Sequence, residues 1–495
     1  MLRFSLFDEH GPAASWPLAR AHVLGPGDAT FDARIAFDAG TISVRPADRR
    51  STAALALEVD AGRAGTLVLQ TCLLQQREEP YRLFEELARQ RIKLFLEKSE
   101  KWGMLDPGLA PKVFEVFEQA RATFVAGLVE RDPWKSQQLH RDAVALAVAA
   151  AERLALLRAE RGLAARFASQ GAVRALGVRV PIEKAPDLVK SCMSPEFDAL
   201  LIPTPWQAIE PQQGRFVWDA VDRWVKLAGL SGRVPVIGPL LDLRAGGIPG
   251  WVLPCLKDPQ RFQERVYSFV REAAIRYGAG GLKPIWHLAA GVNSNEVGAF
   301  DPAAMVALVR HAQVALRQVV PGAKFIVEVG DPYGERSPSD NGALGAIPFV
   351  RLLITEGVQP EYVGIPVLVG DAQHGTRDFM QFADMLDRFA TRKEMPHLLV
   401  SALGAPSAAV PGEGGAWCEP WSEKSQAAWA AVAFQVAMSQ RKVALVVWDR
   451  LRDDAGNGVG AAGMFGPGGV PKAVATKLLL ARRKLRQAVA AGGAA

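Results

Sequence analysis

The sequence predicts a (β/α)₈ barrel preceded by a small β module and a helical arm, and three observations carry that expectation. Eight short apolar runs alternate with helical segments after Gly171: Leu176-Val180, Ala199-Ile202, Val234-Leu241, Pro284-Ala290, Phe325-Val329, Tyr362-Val369, Leu398-Leu403 and Ala444-Trp448. Runs apolar along most of their length suit a parallel sheet covered by helices, and eight in about 315 residues is a barrel's count. Before them, about 100 residues carry helical periodicity, and the first 76 carry the alternation of short strands. At 495 residues the chain has room for all three units.

In order, Ile35-Phe37 and Thr41-Val44 flank the turn Asp38-Ala39-Gly40, and Leu55-Val59 and Thr66-Leu69 flank Asp60-Ala61-Gly62. Paired strands around such turns predict a β-sandwich-like module over residues 1–76. From Glu79, Phe84, Leu87, Leu94 and Phe95 recur at helical spacing, with Pro80 suited to a first turn. A second helix is expected over Lys112-Leu128. A third runs from about Lys135 to Gln170, nearly free of Gly and Pro and apolar on all sides over Ala143-Ala151. Such a helix is normally buried, so residues 77–172 form an arm expected to contact the module, the barrel or a second copy in a homo-oligomer. Residues 173–495 are assigned to the barrel, with a last helix over Lys472-Ala491.

Composition narrows the function classes. Apolar residues make up 49% and charged residues 22%, as in folded globular proteins. Lys and Arg number 58 against 52 Asp and Glu, and the resulting +6 is spread along the chain, which predicts no nucleic-acid surface. The start, Met1 to Glu9, turns acidic before a signal-peptide core accumulates, and no run approaches about 18 apolar residues, so a cytoplasmic, non-membrane protein is expected. Cys72, Cys192, Cys255 and Cys418 show no paired spacing, and the seven histidines never fall two to a motif, so no metal and no cofactor are expected.

In such barrels the ligand site lies where strands end. The second run continues Thr204-Pro205-Trp206-Gln207-Ala208-Ile209-Glu210-Pro211-Gln212-Gln213-Gly214-Arg215-Phe216, then Trp218, Asp219, Asp222 and Ala228. This resembles glycoside hydrolase family 10, the xylanase family. The likeness continues at Gly238-Pro239-Leu240, Pro249-Gly250-Trp251-Val252, Trp286, Val320-Pro321-Gly322-Ala323, Gly364-Ile365, Gln426-Ala427-Ala428-Trp429, Trp448 and Pro471-Lys472-Ala473. It covers roughly residues 173–490 and implies action on, or binding of, a β-1,4-linked polysaccharide or oligosaccharide.

Retaining hydrolysis needs two carboxyls about 5–5.5 Å apart, one a proton donor and one a nucleophile. The resemblance places the acid of the fourth strand at Gly291, with Ala290 at the preceding Asn. It places the nucleophile of the seventh strand at Ala402, with Gly404 at its supporting Asp. The sugar-gripping positions read Ile202, Pro203, Pro205, Pro239, Leu368 and Gly370. The resemblance therefore implies a non-hydrolytic, carbohydrate-binding or scaffold relative, a pseudoenzyme. The alternative is an active xylanase-like glycosidase with relocated carboxylates, for which Glu296, in Asn293-Ser294-Asn295-Glu296, and Glu335 are the candidates. A barrel enzyme of another reaction class is a third reading. Asp331, Asp371, Glu413 and Glu419 also stand near strand ends, where surface and helix-cap acids are ordinary.

Candidate ligand-binding residues are aromatic or polar groups at strand ends: Trp206, Trp251, Trp286, His287, Trp417, Trp421 and Trp448. Flat rings stack on sugar faces. Against this, Trp206, Trp286 and Trp448 also fit barrel packing, and His287 fits a hydrogen-bonded core histidine. Trp417 and Trp421, in a loop of Gly and Pro, are expected to cover the mouth.

Overall fold

The computed structural model describes residues 1–46, 52–169, 174–335, 342–371, 374–391, 393–409, 414–453 and 461–492. Eight parallel strands close a barrel: Leu176–Arg179, Ala199–Ile202, Val234–Ile237, Ile285–Ala290, Phe325–Glu328, Tyr362–Leu368, His397–Gly404 and Val443–Trp448. Closure is direct, since Val236 and Ile237 pair with Ile285 and Trp286, and Leu176 to Val178 pair with Val446 to Trp448. The fold class read from the sequence is the one present. Each expected run became a strand within about two residues, apart from Val234-Leu241, which breaks after Ile237 and resumes as Leu241–Asp242 beside the fourth strand.

Alternation along the strands makes two cores. Ala199, Leu201, Val236, Ile285, Ile326, Leu399, Leu445 and Val447 fill the barrel interior. The intervening side chains, with Trp286 and Trp448 among them, join the larger cluster shared with the surrounding helices. A side chain that follows an interior residue by two positions is therefore also interior.

The first residues form two sheets that share one apolar core, with Leu2, Phe4, Ile42 and Val44 from one and Leu55, Leu57, Leu67 and Leu69 from the other. Neither sheet ends at residue 76. Tyr81–Arg82 extends one by pairing with Phe4 and Ser5, and Ala416–Trp417, from beyond the seventh barrel strand, extends the other by pairing with Gly65 and Thr66.

Three helices form the arm: α1 (Leu83–Lys101), α2 (Pro111–Val129) and α3 (Pro133–Ser169). The apolar wrap of α3 has a use on every side. Ala143, Val144 and Val148 enter the β-module core, Ala150, Ala151 and Leu154 pack with α1 and α2, and Ala155 and Ala159 enter the barrel's outer core. The arm thus packs against both the module and the barrel within one chain. Near its end, Arg166 donates to the carbonyls of Met438 (2.7 Å), Gln440 (3.2 Å) and Val443 (2.8 Å), capping the C-terminus of helix Glu423–Ser439 with a cation. Among the described residues no helix is long and apolar enough to cross a membrane.

Candidate functional site at the barrel mouth

At the strand ends the interior layer changes from apolar to charged. Arg179 lies two positions after Gly177, His287 two after Ile285, Glu328 two after Ile326, Ser401 two after Leu399 and Asp449 two after Val447, so alternation points all five inward. Arg244, on the loop after Leu241–Asp242, closes the layer from above. Its guanidinium meets Glu328 Oε1 at 3.0 Å and holds Asp242 through Nε to Oδ1 (2.8 Å) and Nη2 to Oδ2 (2.7 Å). Arg179 lies 3.0 Å from Asp449.

Burial pushes the Glu328 carboxyl up, but His287, Arg244 and Arg179 outweigh it and hold the group below the usual glutamate range, so it is ionised. Burial lowers His287 to about 4, opposed by Glu328 and assisted by Arg244 and Arg179, so the imidazole is neutral near pH 7. The histidine is interior, but the hydrogen-bonded core role expected for it is absent. Both ring nitrogens are buried without a hydrogen-bond partner, and the nearest Glu328 oxygen is 3.6 Å from Nε2.

Above this layer lies a cavity of about 240 Å³, bordered by Arg179, Thr204, Trp206, Gln207, Asp242 and Arg244. A second, of about 350 Å³, shares Arg179, Pro203 and Pro205 with it and extends along Glu183, Asp449, Arg450 and Arg452.

Gly291 sits at the mouth with φ +65°, and a Cβ there would stand 2.5 Å from Arg244 Cγ. The arginine stem fills the space into which a side chain at 291 would project. Ala402 is buried in the seventh strand.

The other candidates scatter. Glu296 accepts from the Ala245 amide of the Arg244 loop at 2.8 Å, and Glu335 accepts from the Tyr333 amide of its own loop and pairs with Arg377 at 3.2 Å, so each is engaged by backbone or an arginine. Asp331 accepts from Ser294, Asp371 pairs with His374, and Glu419 pairs with Lys424, while Glu413 lies outside the described residues.

Of the seven proposed ligand contacts, Trp206 alone borders either of these two cavities, the smaller one, and it is itself almost wholly buried. Its indole donates to Glu210 at 2.7 Å and its ring stacks on Phe269, while Trp251 meets it edge-on and donates to the Glu210 carbonyl. Trp286 and Trp448 turn outward into the helix layer, because their neighbours Ile285 and Val447 take the interior.

The loop expected to cover the mouth does something else. Trp417 lies in the strand added to the β module, packs on Phe379 and donates to Glu152 of α3 at 2.8 Å. Trp421 is buried, donates to the Gly415 carbonyl and meets Trp429 edge-on. Both rings are joints between parts of the chain.

Sequence reasoning missed Arg179, Asp242, Arg244, Glu328 and Asp449 as a group. The signal was available for three of them, since Arg179 and Glu328 end strands and Asp449 follows one. Arg244 had none, because its loop length set its reach.

No known family profile matches the chain, and no curated protein does. Among solved structures it is similar to xylanase B from Clostridium stercorarium F9, at 16% identity and TM-score 0.48 over 62% of this chain and 96% of that one. It is also similar to xylanase 10B from Thermotoga maritima, at 15% identity and TM-score 0.48 over 66% and 97%. A third such structure is a GH10 protein from Paenibacillus barcinonensis, at 17% identity and TM-score 0.48 over 62% and 94%.

Proposed function

We propose that this chain is a non-hydrolytic barrel protein that binds carbohydrate at its mouth. The observation that carries the reading is the state of the mouth carboxylates. Glycoside hydrolysis needs one carboxyl that holds a proton to give to the leaving oxygen. Glu328 is kept ionised by arginines, Asp242 is gripped twice by Arg244, and Asp449 faces Arg179. Glu328, held ionised, is no such donor, and both Asp242 oxygens are occupied by the Arg244 guanidinium. The space beside Gly291, where the resemblance would place the acid, belongs to the Arg244 stem.

Binding is supported by what remains. The cavity offers guanidinium, carboxylate, hydroxyl and amide groups of Arg179, Arg244, Asp242, Thr204 and Gln207 around the edge of one indole. Fixed polar groups converging on one cavity orient a small polar ligand, and sugar hydroxyls use donors and acceptors equally.

Titration calorimetry of the full chain with xylo-oligosaccharides and cello-oligosaccharides tests the reading, with Gln207→Ala as the site variant. Saturable binding to at least one series, weakened by Gln207→Ala at unchanged melting temperature, is expected. Absence of binding to both series would overturn the carbohydrate assignment.

A further inference from the structure

A third polar cavity lies where α1 of the arm meets the helix Phe379–Ala390 of the barrel and the β module. Its space is about 40 Å³, roughly three times what one water molecule needs. Arg91 of α1, Arg377 of the preceding loop and Arg388 of the helix converge on it, with the amides of Gln90 and Gln381; Asp384 is the one carboxylate among the described lining residues.

The arginines are held in place from behind. Arg91 lies 2.8 Å from Asp378 Oδ1 while its Nε is buried with no hydrogen-bond partner, and the residue is 2% exposed. Arg377 is buried, pairs with Glu335 at 3.2 Å and lies 4.4 Å over the Tyr333 ring. Arg388 holds Asp384, yet burial still draws it down to about 10, and Asp384 is shared with Lys98. A buried guanidinium nitrogen without an acceptor is costly, and each guanidinium has five donors in a fixed fork.

We propose that this cavity is a binding site for a phosphate group, held by Arg91, Arg377 and Arg388 with Gln90 and Gln381. Donors arriving from three segments suit an oxyanion that presents oxygens in several directions, whereas a carboxylate presents two in one plane. The available space admits the anionic group and little else. Occupation would tie α1 to the barrel, so binding stabilises the assembled chain by mass action.

The test titrates the full chain with inorganic phosphate, by calorimetry and by melting temperature against chloride at equal ionic strength. Two variants accompany it. Gln90→Glu places a negative charge in the cavity without removing a recorded contact, and Arg388→Gln removes a donor while Lys98 still neutralises Asp384. Saturable binding at one site is expected, at least tenfold weaker in both variants. Phenyl phosphate then locates the source: equal binding supports a phosphoryl group of a larger molecule, and exclusion supports the free ion. A phosphate-induced melting shift equal in all three proteins, or no saturable heat with the unaltered chain, would overturn the proposal, the first because phosphate stabilises folded proteins in general.

Discussion

Two arginine and carboxylate networks in this chain use the same chemistry for different ends. At the mouth, Arg179 and Arg244 remain about a quarter and a third exposed and lie over a layer of buried, poorly satisfied groups, namely His287, Ser401 and one oxygen of Glu328. At the seam between arm and barrel, Asp387 is 5% exposed and accepts from Trp102 (2.9 Å), Arg158 (3.0 Å) and Gln440 (2.9 Å), with Lys98 at 3.5 Å. The seam network joins parts of the sequence more than 200 positions apart. The difference teaches that an ion-pair cluster signals architecture where its central charge is buried and partnered from several segments, as Asp387 is, even with Arg158 22% exposed. The mouth, where the outer members face water and His287 lacks hydrogen-bond partners, is the arrangement on which the proposed ligand site rests.

That contrast can be broken first at the seam. Asp387→Ala should cost about 3–5 kcal/mol, because Arg158 and Trp102 are left without their acceptor inside the chain. Chemical denaturation measures it, and a loss below about 1 kcal/mol would show that the seam is as slack as the mouth.

The next largest effect is one of pH. Burial, then the neighbouring Asp378, raises the Glu152 carboxyl to about 7, with Trp417, the Phe379 amide and Arg91 opposing. The unfolded group titrates near 4.5, so between these values the folded state holds the proton more tightly. Stability from this group is therefore complete below about 4.5, falls as pH rises toward 7 and is flat above. Glu152→Gln should remove that slope and stabilise the protein at pH 8 by on the order of 3 kcal/mol, with little change at pH 4. Melting curves at the two pH values check this, and equal effects at both would place the acid in an ordinary environment.

At the mouth, Gly291→Ala should cost about 1–3 kcal/mol, since it combines a left-handed backbone with a 2.5 Å approach to Arg244 Cγ. A neutral result would mean that the arginine stem moves freely and does not hold that space. The smallest effect belongs to Asp449→Asn, where two partly exposed partners exchange little free energy, about 0–1 kcal/mol.

The barrel was legible because burial on both faces writes a strand as an apolar run, and eight such runs survive any error in their ends. The last strand, Val443–Trp448, illustrates this: Val443, Val446 and Trp448 serve the outer core while Leu445 and Val447 serve the inner. The candidate site was less legible, for two physical reasons. A tryptophan at a strand end reads alike whether it faces the interior or the helices, and one position of phase decides it, as for Trp286 and His287. Chain segments distant in sequence also supply partners that periodicity does not reveal. Trp417 looked like a mouth ring until Gly65 and Glu152 gave it a strand partner and an acceptor.

The central claim is that the arginine-paired mouth carboxylates supply no proton donor, and reducing-sugar release from xylan tests it most directly. The unaltered chain and its Glu328→Gln, Asp449→Asn and Glu296→Gln variants should all release none above a protein-free blank. Release by the unaltered chain that is abolished in any one of these variants would contradict the account and identify the acid it denies.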